Sequence, residues 1–253
     1  MAALAGRHAL VTGGGTGIGL AIATALAEHG AQVTITGRRE GPLAEAAAAH
    51  EGLHPLVMDV TDEANVEAGF AAAQQARGPV TIHVANAGIA ETAPMHKETL
   101  AHWRKVLATN LDGVFLTTRA ALRQMRSEGW GRIITISSIA GLRGLKYGAA
   151  YSTSKHGVIG LTRVVSEECM GSGITANAIC PGYVRTPIVE ENAKLIAARS
   201  GISEEAAIAA MVKDNRHGRL IEPEEIAAAA VWLCLPGSES VNGQTIPIAG
   251  GQV

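Results

Sequence analysis

The sequence predicts one α/β domain built around a parallel sheet. Short apolar runs of strand type alternate with segments that carry apolar residues at helical spacing over all 253 residues. No linker, repeat or low-complexity stretch interrupts the alternation, and this length is common for a single domain with a large parallel sheet. Hydrophobic residues make up 47% of the chain, which is enough for a sizeable core. We therefore expect helices on both faces of a parallel sheet.

Seven apolar runs are predicted to be the strands of this sheet, and turn residues follow most of them. The first run ends in a glycine-rich loop, the third at Asp59-Val60 and the sixth at Pro181-Gly182. Turn residues at the ends of short apolar runs mark strand boundaries. The predicted strands are residues 8–12, 32–36, 54–58, 80–85, 132–136, 174–179 and 245–248.

The segments between these runs are predicted to be helices. Thr61 is expected to cap the third helix, and Pro223 with the acidic residues after it is expected to open the last. The charged, Ala-rich stretch 189–214 looks helical, and we assign residues 183–216 to a substrate-side insertion within the single domain 1–253. The predicted helices are residues 20–29, 42–50, 61–76, 100–128, a helix that begins near Tyr151, 189–214 and 223–235.

Composition and charge exclude several classes of partner. The net charge is −2 and the pI is about 6.5, so the chain lacks the basic character expected for binding nucleic acid or anionic membranes. The longest apolar runs are too short to span a bilayer, and residues 1–7 lack the apolar core of a signal peptide. Cys169, Cys180 and Cys234 lack metal-ligand spacing and are expected to be buried thiols of a reducing compartment. We expect a cytoplasmic protein without a metal site.

A glycine motif lies between the first predicted strand and the first predicted helix. Gly13, Gly17 and Gly19 follow a GxxxGxG spacing, which differs from the GxGxxG spacing of the common dinucleotide fingerprint. Glycines permit a tight turn and a close approach of the backbone to a phosphate, and the helix N-terminus offers free N–H groups. The order of strand, glycine loop and helix favours phosphate binding over the alternative, a plain flexible loop.

Tyr151 and Lys155 are the strongest candidates for chemistry. They are four residues apart, so on a helix they share one face, and the residues after them carry apolar side chains at helical spacing. An ammonium group one turn away favours phenolate over phenol, so we expect it to lower the pKa of Tyr151 from about 10. Ser138 is a candidate to polarise a substrate carbonyl that the tyrosine protonates. The alternative is an ordinary amphipathic helix with a surface tyrosine and lysine.

An ordered set of short motifs resembles the short-chain dehydrogenase/reductase family over nearly the whole chain. The set consists of Thr12-Gly13-xxx-Gly17-x-Gly19, Asp59-Val60, Asn86-Ala87-Gly88, Asn110, Ser138, Tyr151-xxx-Lys155 and Pro181-Gly182. The resemblance implies an oxidoreductase with a seven-stranded doubly wound (Rossmann) sheet and a nicotinamide cofactor. It implies that Tyr151 is the general acid/base, that Ser138 holds the substrate oxygen, and that Lys155 lowers the tyrosine pKa and binds the nicotinamide ribose. Asn110 would anchor a water that relays protons to Lys155, or, like Ser138, could simply satisfy local backbone groups.

The resemblance also implies cofactor contacts at one rim of the sheet, where the carboxyl ends of parallel strands meet. Asp59 would contact the adenine amino group, or else help to cap the next helix. Asn86 is expected to form a structural hydrogen bond across strands. Gly88 would leave room for the cofactor or would simply form a turn. Thr186 would contact the nicotinamide, or its hydroxyl would face solvent in a turn. The implied cofactor residues are Gly13, Gly15, Thr16, Gly17, Ile18, Gly19, Arg38, Arg39, Asp59, Val60, Asn86, Ala87, Gly88, Tyr151, Lys155, Pro181, Gly182, Val184 and Thr186.

The end of the second predicted strand favours NADP over NAD as the cofactor. NAD-binding sheets usually place an acidic residue there to bind the ribose hydroxyls, whereas this chain has Gly37 followed by Arg38 and Arg39. Two guanidinium groups are suited to pair with a 2′-phosphate. In the alternative, Arg38 stacks on the adenine and Arg39 faces solvent. Thr16, where NADP-specific relatives often carry a basic residue, also keeps NAD open.

The substrate pocket is expected to be built by residues 139–150 and 183–216. Arg143, Lys146 and Tyr147 lie in the first stretch. A basic rim there would suit an acidic or phosphate-bearing substrate, and a solvated charged surface is the plainer interpretation.

The expected reaction is reversible hydride transfer between NADP(H) and a secondary alcohol or ketone. Residues 177–187 resemble those of 3-hydroxybutyrate dehydrogenases and ketoacyl reductases. Both a 3-oxoacyl compound and a small hydrophobic or aryl ketone therefore stay open as the small-molecule substrate. The alternatives are a NAD-dependent hydroxy-acid or alcohol dehydrogenase and a cofactor-binding regulator without catalysis.

Two apolar segments predict self-association. Residues 100–128 and 227–248 carry more apolar side chains, Trp103, Phe115 and Trp232 among them, than one helix face can bury against a sheet. Members of the short-chain dehydrogenase/reductase family, which the sequence resembles, are commonly homotetramers, so we expect a symmetric dimer of dimers.

Overall fold

The computed structural model describes residues 2–213 and 215–253, with only the backbone of Arg199, and contains one seven-stranded sheet. All neighbouring strands are parallel, in the order β3-β2-β1-β4-β5-β6-β7, which confirms the predicted Rossmann-type α/β fold. The strand order reverses between β1 and β4, and ligand sites of such sheets lie at that point. The strands are β1 (His8–Thr12), β2 (Gln32–Gly37), β3 (Leu53–Val57), β4 (Ile82–Ala85), β5 (Gly131–Ile136), β6 (Ile174–Pro181) and β7 (Thr245–Ile248).

Helices cover both faces of this sheet. Their bounds are α1 (Gly17–Glu28), α2 (Glu40–Ala49), α3 (Glu63–Arg77), α4 (Leu100–Leu107), α5 (Gly113–Glu128), α6 (Ala149–Glu168), α7 (Pro187–Ser200), α8 (Glu204–Val212) and α9 (Pro223–Trp232). Short 3₁₀ turns lie at Met95–Lys97 and Ile139–Gly141. Among the described residues, no helix combines the length and the apolar character that crossing a bilayer requires.

The core consists of two main clusters that the sheet separates. Successive residues of β1 alternate between them: Ala9 and Val11 pack with the buried side chains of α1 and α9, and Leu10 packs with those of α3 and α5. This period of two is expected for a strand, because neighbouring side chains point to opposite faces. Burial on both faces explains why the strands appear in the sequence as short, nearly continuous apolar runs.

The predicted helix 100–128 is interrupted at its middle by a π-helical turn, Ala108–Asp112, which separates α4 from α5. Buried Asn110 lies in this turn, and its side chain binds both backbone groups of Ile89. The π-helical turn places the asparagine against the segment that follows β4. Such interruptions frequently occur at functional sites.

The predicted cap of the third helix is wrong by one residue. Asp62, not Thr61, is the N-cap of α3, and its side chain accepts a hydrogen bond from Asn65 N. A carboxylate at this position also interacts favourably with the positive end of the helix dipole. The Thr61 hydroxyl instead donates to Asp59 Oδ1 over 2.8 Å.

The predicted helical stretch 189–214 consists of two helices, α7 and α8, and its predicted end at Asp214 lies outside the described residues. Gly201 separates them with a backbone φ of 67°, a left-handed conformation that glycine adopts without strain. Ala193, Ala207 and Met211 form a small buried cluster of their own between the two helices.

The turn from β1 into α1 requires glycine. Gly13 and Gly17 have positive φ angles of 65° and 54°. Position 19 requires glycine because there is no space for a side chain: a Cβ there would lie 2.3 Å from the Gly13 carbonyl oxygen and 2.4 Å from Asn86 Nδ2. The first turn of α1 can therefore contact the end of β4 only if residue 19 has no side chain.

We predict that Gly19→Ala destabilises the protein by about 1–3 kcal/mol, because the added methyl group collides with backbone that cannot move aside. Urea denaturation measures the effect. Gly160→Ala is the matched control, since Gly160 lies in α6 with no neighbouring atom within 4 Å of an added Cβ. The control is expected to gain up to about 1 kcal/mol. Equal stability of the two variants would contradict the prediction.

Candidate active site

A cavity of about 430 Å³ lies along the rim formed by the carboxyl ends of the strands, from the glycine loop after β1 to the turn after β4. It brings together nine of the residues that the sequence implicates in cofactor binding. These are Gly13, Gly15, Thr16, Arg38, Arg39, Asp59, Val60, Ala87 and Gly88. A glycine-lined loop at a helix N-terminus, followed by arginines and a carboxylate, fits a dinucleotide.

Six further lining residues were not identified from the sequence: Thr36, Pro42, Leu43, Met58, Ile89 and Thr109. Leu43 shows why. Its buried side chain belongs to the core cluster of α1 and α9, so the apolar periodicity of α2 predicts only packing. The position of Leu43 in the first turn of α2, just after β2, is the sequence signal that would have indicated that it also lines a binding cavity.

Asn86 ties the turn after β4 to the end of β1. Its Nδ2 donates to Thr12 O over 2.9 Å and to Gly13 O over 3.2 Å. In return, Thr12 Oγ1 accepts from the backbone N–H groups of Asn86 and Ala87. Asn86 does not line the cavity, and these bonds agree with the structural role favoured from the sequence.

Asp59 both lines the cavity and organises the turn into α3. Its Oδ1 accepts from the backbone N–H of Thr61 over 2.9 Å as well as from the Thr61 hydroxyl. Its own backbone N–H donates to Asn65 Oδ1 over 2.6 Å. These bonds fix the carboxylate at the cavity wall.

Tyr151, Ser138 and Lys155 lie together where α6 passes the end of β5. The Tyr151 side chain hydrogen-bonds with that of Ser138, whose Oγ also accepts from Ala140 N over 3.1 Å. Lys155 Nζ lies 5.7 Å from the centre of the Tyr151 ring and donates to Ile136 O over 2.8 Å. Three of the four side chains predicted to be catalytic therefore form one cluster.

Close packing holds α6 in this position. Ser137, at the end of β5, donates its hydroxyl hydrogen to Lys155 O over 2.9 Å. A Cβ on Gly141 would lie 2.5 Å from Ser137 Oγ and 2.6 Å from Lys155 O. Glycine at 141 thus permits the backbone of the Ser138 turn to contact the helix directly.

Burial dominates the electrostatics of the cluster. It raises the pKa of Tyr151 above its ordinary value, and the hydrogen bond from Ser138 offsets this in part. It also lowers the pKa of Lys155 to about 8. The predicted lowering of the Tyr151 pKa is therefore wrong for this structure, because desolvation of the phenolate outweighs the hydrogen bond from Ser138. At neutral pH the tyrosine is a phenol that can donate a proton.

Asn110 and Gly88 connect the cluster to the cavity. Asn110 Nδ2 donates to Ile89 O over 2.9 Å, and its Oδ1 accepts from Ile89 N over 2.8 Å. A Cβ on Gly88 would lie 3.3 Å from Asn110 Oδ1 and 3.8 Å from Lys155 Nζ. The Asn110 side chain thus binds mainly backbone groups. Gly88, which lines the cavity, is the residue that lies between the cavity and Lys155 Nζ.

The residues after β6 close the other side of the rim. Thr186 is buried and caps α7, and its methyl carbon would lie 3.3 Å from a Cβ on Gly17. The alternative of a solvent-facing hydroxyl is therefore wrong. Val184 is buried and pairs with Ile221 in an isolated bridge.

The other predicted cofactor residues do not line the 430 Å³ cavity. Among the described residues, no group of three or more His, Cys, Asp or Glu side chains is arranged to hold a metal ion. The residues outside the cavity lining are Gly17, Ile18, Gly19, Asn86, Tyr151, Lys155, Pro181, Gly182, Val184 and Thr186.

The sequence matches the family model described as short chain dehydrogenase over residues 7–197. It is 38% identical to the D-beta-hydroxybutyrate dehydrogenase of Cupriavidus necator, with 99% of both chains covered. It is also 38% identical to the acetoacetyl-CoA reductase of Rhizobium meliloti, with 97% of this chain and 98% of the relative covered. Among solved structures, it resembles a single-residue variant of actinorhodin polyketide ketoreductase with NADPH, with a TM-score of 0.93, 35% identity and 97% of both chains covered.

Proposed function

The chain belongs to the short chain dehydrogenase family and is an oxidoreductase, and we propose that it transfers a hydride reversibly between NADP(H) and a secondary alcohol or ketone. The observation that carries the proposal is the Tyr151, Ser138 and Lys155 cluster beside a cavity suited to a dinucleotide. With this family membership, the alternative of a regulator without catalysis is not retained.

A 3-oxoacyl compound is the substrate class that the similarities favour. The two curated relatives are named for 3-hydroxybutyrate and acetoacetyl-CoA, which share an oxygen function at the third carbon of an acyl group. The structural relative is named as a polyketide ketoreductase. A small hydrophobic or aryl ketone is the second substrate candidate. The alternative reaction is the NAD-dependent oxidation of a hydroxy acid or alcohol.

In the proposed reduction, Tyr151 is the general acid and Ser138 holds the substrate oxygen. When bound, the reduced nicotinamide supplies the hydride. The raised pKa of Tyr151 keeps its hydroxyl protonated at neutral pH, so it can donate to the carbonyl oxygen as negative charge develops there. Ser138 Oγ accepts from Ala140 N, so its hydroxyl hydrogen, which is donated to Tyr151 in the absence of substrate, would turn to the same oxygen when a substrate binds.

Lys155 has two proposed tasks. Its pKa of about 8 leaves it mostly charged at neutral pH, and that charge stabilises the phenolate that remains after Tyr151 gives up its proton. Its Nζ also lies beside Gly88 at the cavity, where an ammonium group can bind ribose hydroxyls. Asn110 keeps the segment after β4 in place through both backbone groups of Ile89. As the family resemblance implies, it would also anchor a water that relays protons to Lys155.

The remaining cofactor contacts follow the order of the strands. The glycine loop and the N-terminus of α1 would hold the diphosphate through free N–H groups. Asp59 and Val60 would border the adenine, and Thr186 would bind the nicotinamide carboxamide. Pro181, Gly182 and Val184 would form the wall on the nicotinamide side.

We predict that Tyr151→Phe lowers kcat for ketone reduction by about 10²–10⁴-fold with nearly unchanged cofactor affinity, because only the proton donor is removed. The loss of reduced-cofactor absorbance, followed with a panel that includes 3-oxoacyl thioesters and aryl ketones, measures turnover. Fluorescence titration measures cofactor binding and also reports whether the variant is folded. A Tyr151→Phe enzyme that keeps most of its activity would reject the assignment.

Cofactor preference is predicted from the charges at the end of β2. Arg38 and Arg39 are exposed at the cavity and have no ion-pair partner among the described residues, and Asp59 is the one carboxylate in the lining. A charged hydrogen bond of roughly 1.5–3 kcal/mol gives NADPH an advantage in kcat/KM of about tenfold to over a hundredfold. Gly37→Asp combined with Arg38→Ala should reverse it. A wild-type enzyme that prefers NADH would overturn the claim.

We further propose a homotetramer. Val106, Val114 and Met125 are buried within the subunit, whereas Leu100, Phe115 and Trp232 are 60%, 45% and 46% exposed. The first two of these exposed residues lie on α4 and α5 and the third on α9, so two separate apolar surfaces are available for two kinds of contact. Light scattering at micromolar concentration is expected to give the tetramer mass, and a monomer mass would contradict the proposal.

A cytoplasmic location is proposed from the thiols. Cys169, Cys180 and Cys234 are all free and buried, and the pKa of Cys234 is raised to about 12 by burial. Inert, unpaired thiols are typical of proteins in reducing compartments.

A further inference from the structure

Tyr147 adopts a backbone conformation that its side chain disfavours. Among the described residues, it is the one non-glycine residue with a positive φ angle, at 66°. It is the third residue of a turn closed by a hydrogen bond from Gly148 N to Leu145 O over 3.0 Å. A positive φ at this position of a turn normally selects glycine, whereas here the glycine is the next residue, Gly148. The turn therefore holds a large side chain under backbone strain.

The turn is fixed from two sides. Ala93, in the segment after β4, donates its N–H to Tyr147 O over 2.9 Å and pairs with Gly148 in an isolated bridge. On the other side, Ser152 Oγ in the first turn of α6 accepts from Leu145 N over 3.1 Å. The strained residue thus lies between the segment after β4 and the helix that carries the catalytic tyrosine.

The tyrosine ring contributes little to packing. The residue is 53% exposed, and the nearby cation is Lys146, whose Nζ lies 5.1 Å from the ring centre. Glycine would relieve the strain without removing a buried contact. Strained residues that persist cluster at functional sites.

We propose that Tyr147, which lies four residues before Tyr151 in a turn bonded to α6 and to the segment after β4, is a specificity-determining residue whose ring contacts the substrate substituent remote from the reacting carbonyl. A phenol ring that is half exposed is suited to stack on a flat apolar group, so the favoured remote substituent is an aryl group. The inference rests on the proposed ketone reduction, and it favours the second substrate candidate, an aryl ketone, over the 3-oxoacyl compound that the similarities favour.

The test compares kcat/KM for two ketones that differ only in a remote phenyl or methyl group, in wild type, Tyr147→Gly and Tyr147→Phe. Glycine accepts the positive φ, so Tyr147→Gly is expected to keep or raise Tm. It is expected to lower kcat/KM for the aryl ketone by about threefold to tenfold, mainly through KM, and to leave the methyl ketone within about twofold. Tyr147→Phe keeps the ring and is expected to keep the wild-type ratio.

The outcomes separate this inference from the proposed function. If wild type reduces both ketones and Tyr147→Gly retains their ratio, the specificity role is wrong and the ketone reduction stands. An equal loss for both ketones would assign Tyr147 to the turn alone and also overturn the inference. A wild type that reduces neither ketone, nor any 3-oxoacyl thioester, would overturn both proposals.

Discussion

The contact between α6 and the end of β5 is the constraint on which the site depends. Ser137 binds the Lys155 carbonyl, and Gly141 brings the next turn against the same atoms without a side chain in between. Residues on a helix fixed in this way are held to small displacements, as general acid catalysis requires. Tyr151, Ser138 and Lys155 are thus positioned by backbone packing, and each side chain needs few bonds of its own.

The same packing sets the protonation states. The protein that surrounds the cluster removes water from both the phenol and the amine, and each is shifted toward its neutral form. Burial alone therefore keeps Tyr151 protonated as a proton donor and lowers the pKa of the Lys155 ammonium. The hydrogen bond from Ser138 acts in the opposite direction on the tyrosine, so the environment tunes its pKa between two competing effects.

Much of this could be predicted from the sequence, because the fold follows from patterns that depend on neighbours along the chain. Alternating apolar runs and helical periods indicated the parallel sheet, and the motifs indicated nine of the residues that line the cavity at its rim. What the sequence did not predict depends on contacts between distant segments. The π-helical turn at Asn110 comes from its bonds to Ile89, and the raised pKa of Tyr151 comes from burial that no spacing reveals. The cap at Asp62 was missed because two adjacent polar residues were both suitable.

The small cluster between α7 and α8 has an evolutionary consequence. Ala193, Ala207 and Met211 pack with one another and apart from the two large clusters beside the sheet. A mutation in these helices therefore changes side chains of the segment assigned to the substrate side while leaving untouched the two clusters that support the dinucleotide rim. Such a modular arrangement lets a lineage explore new substrates at little risk to foldability, as long as the sheet and the glycine loop are conserved.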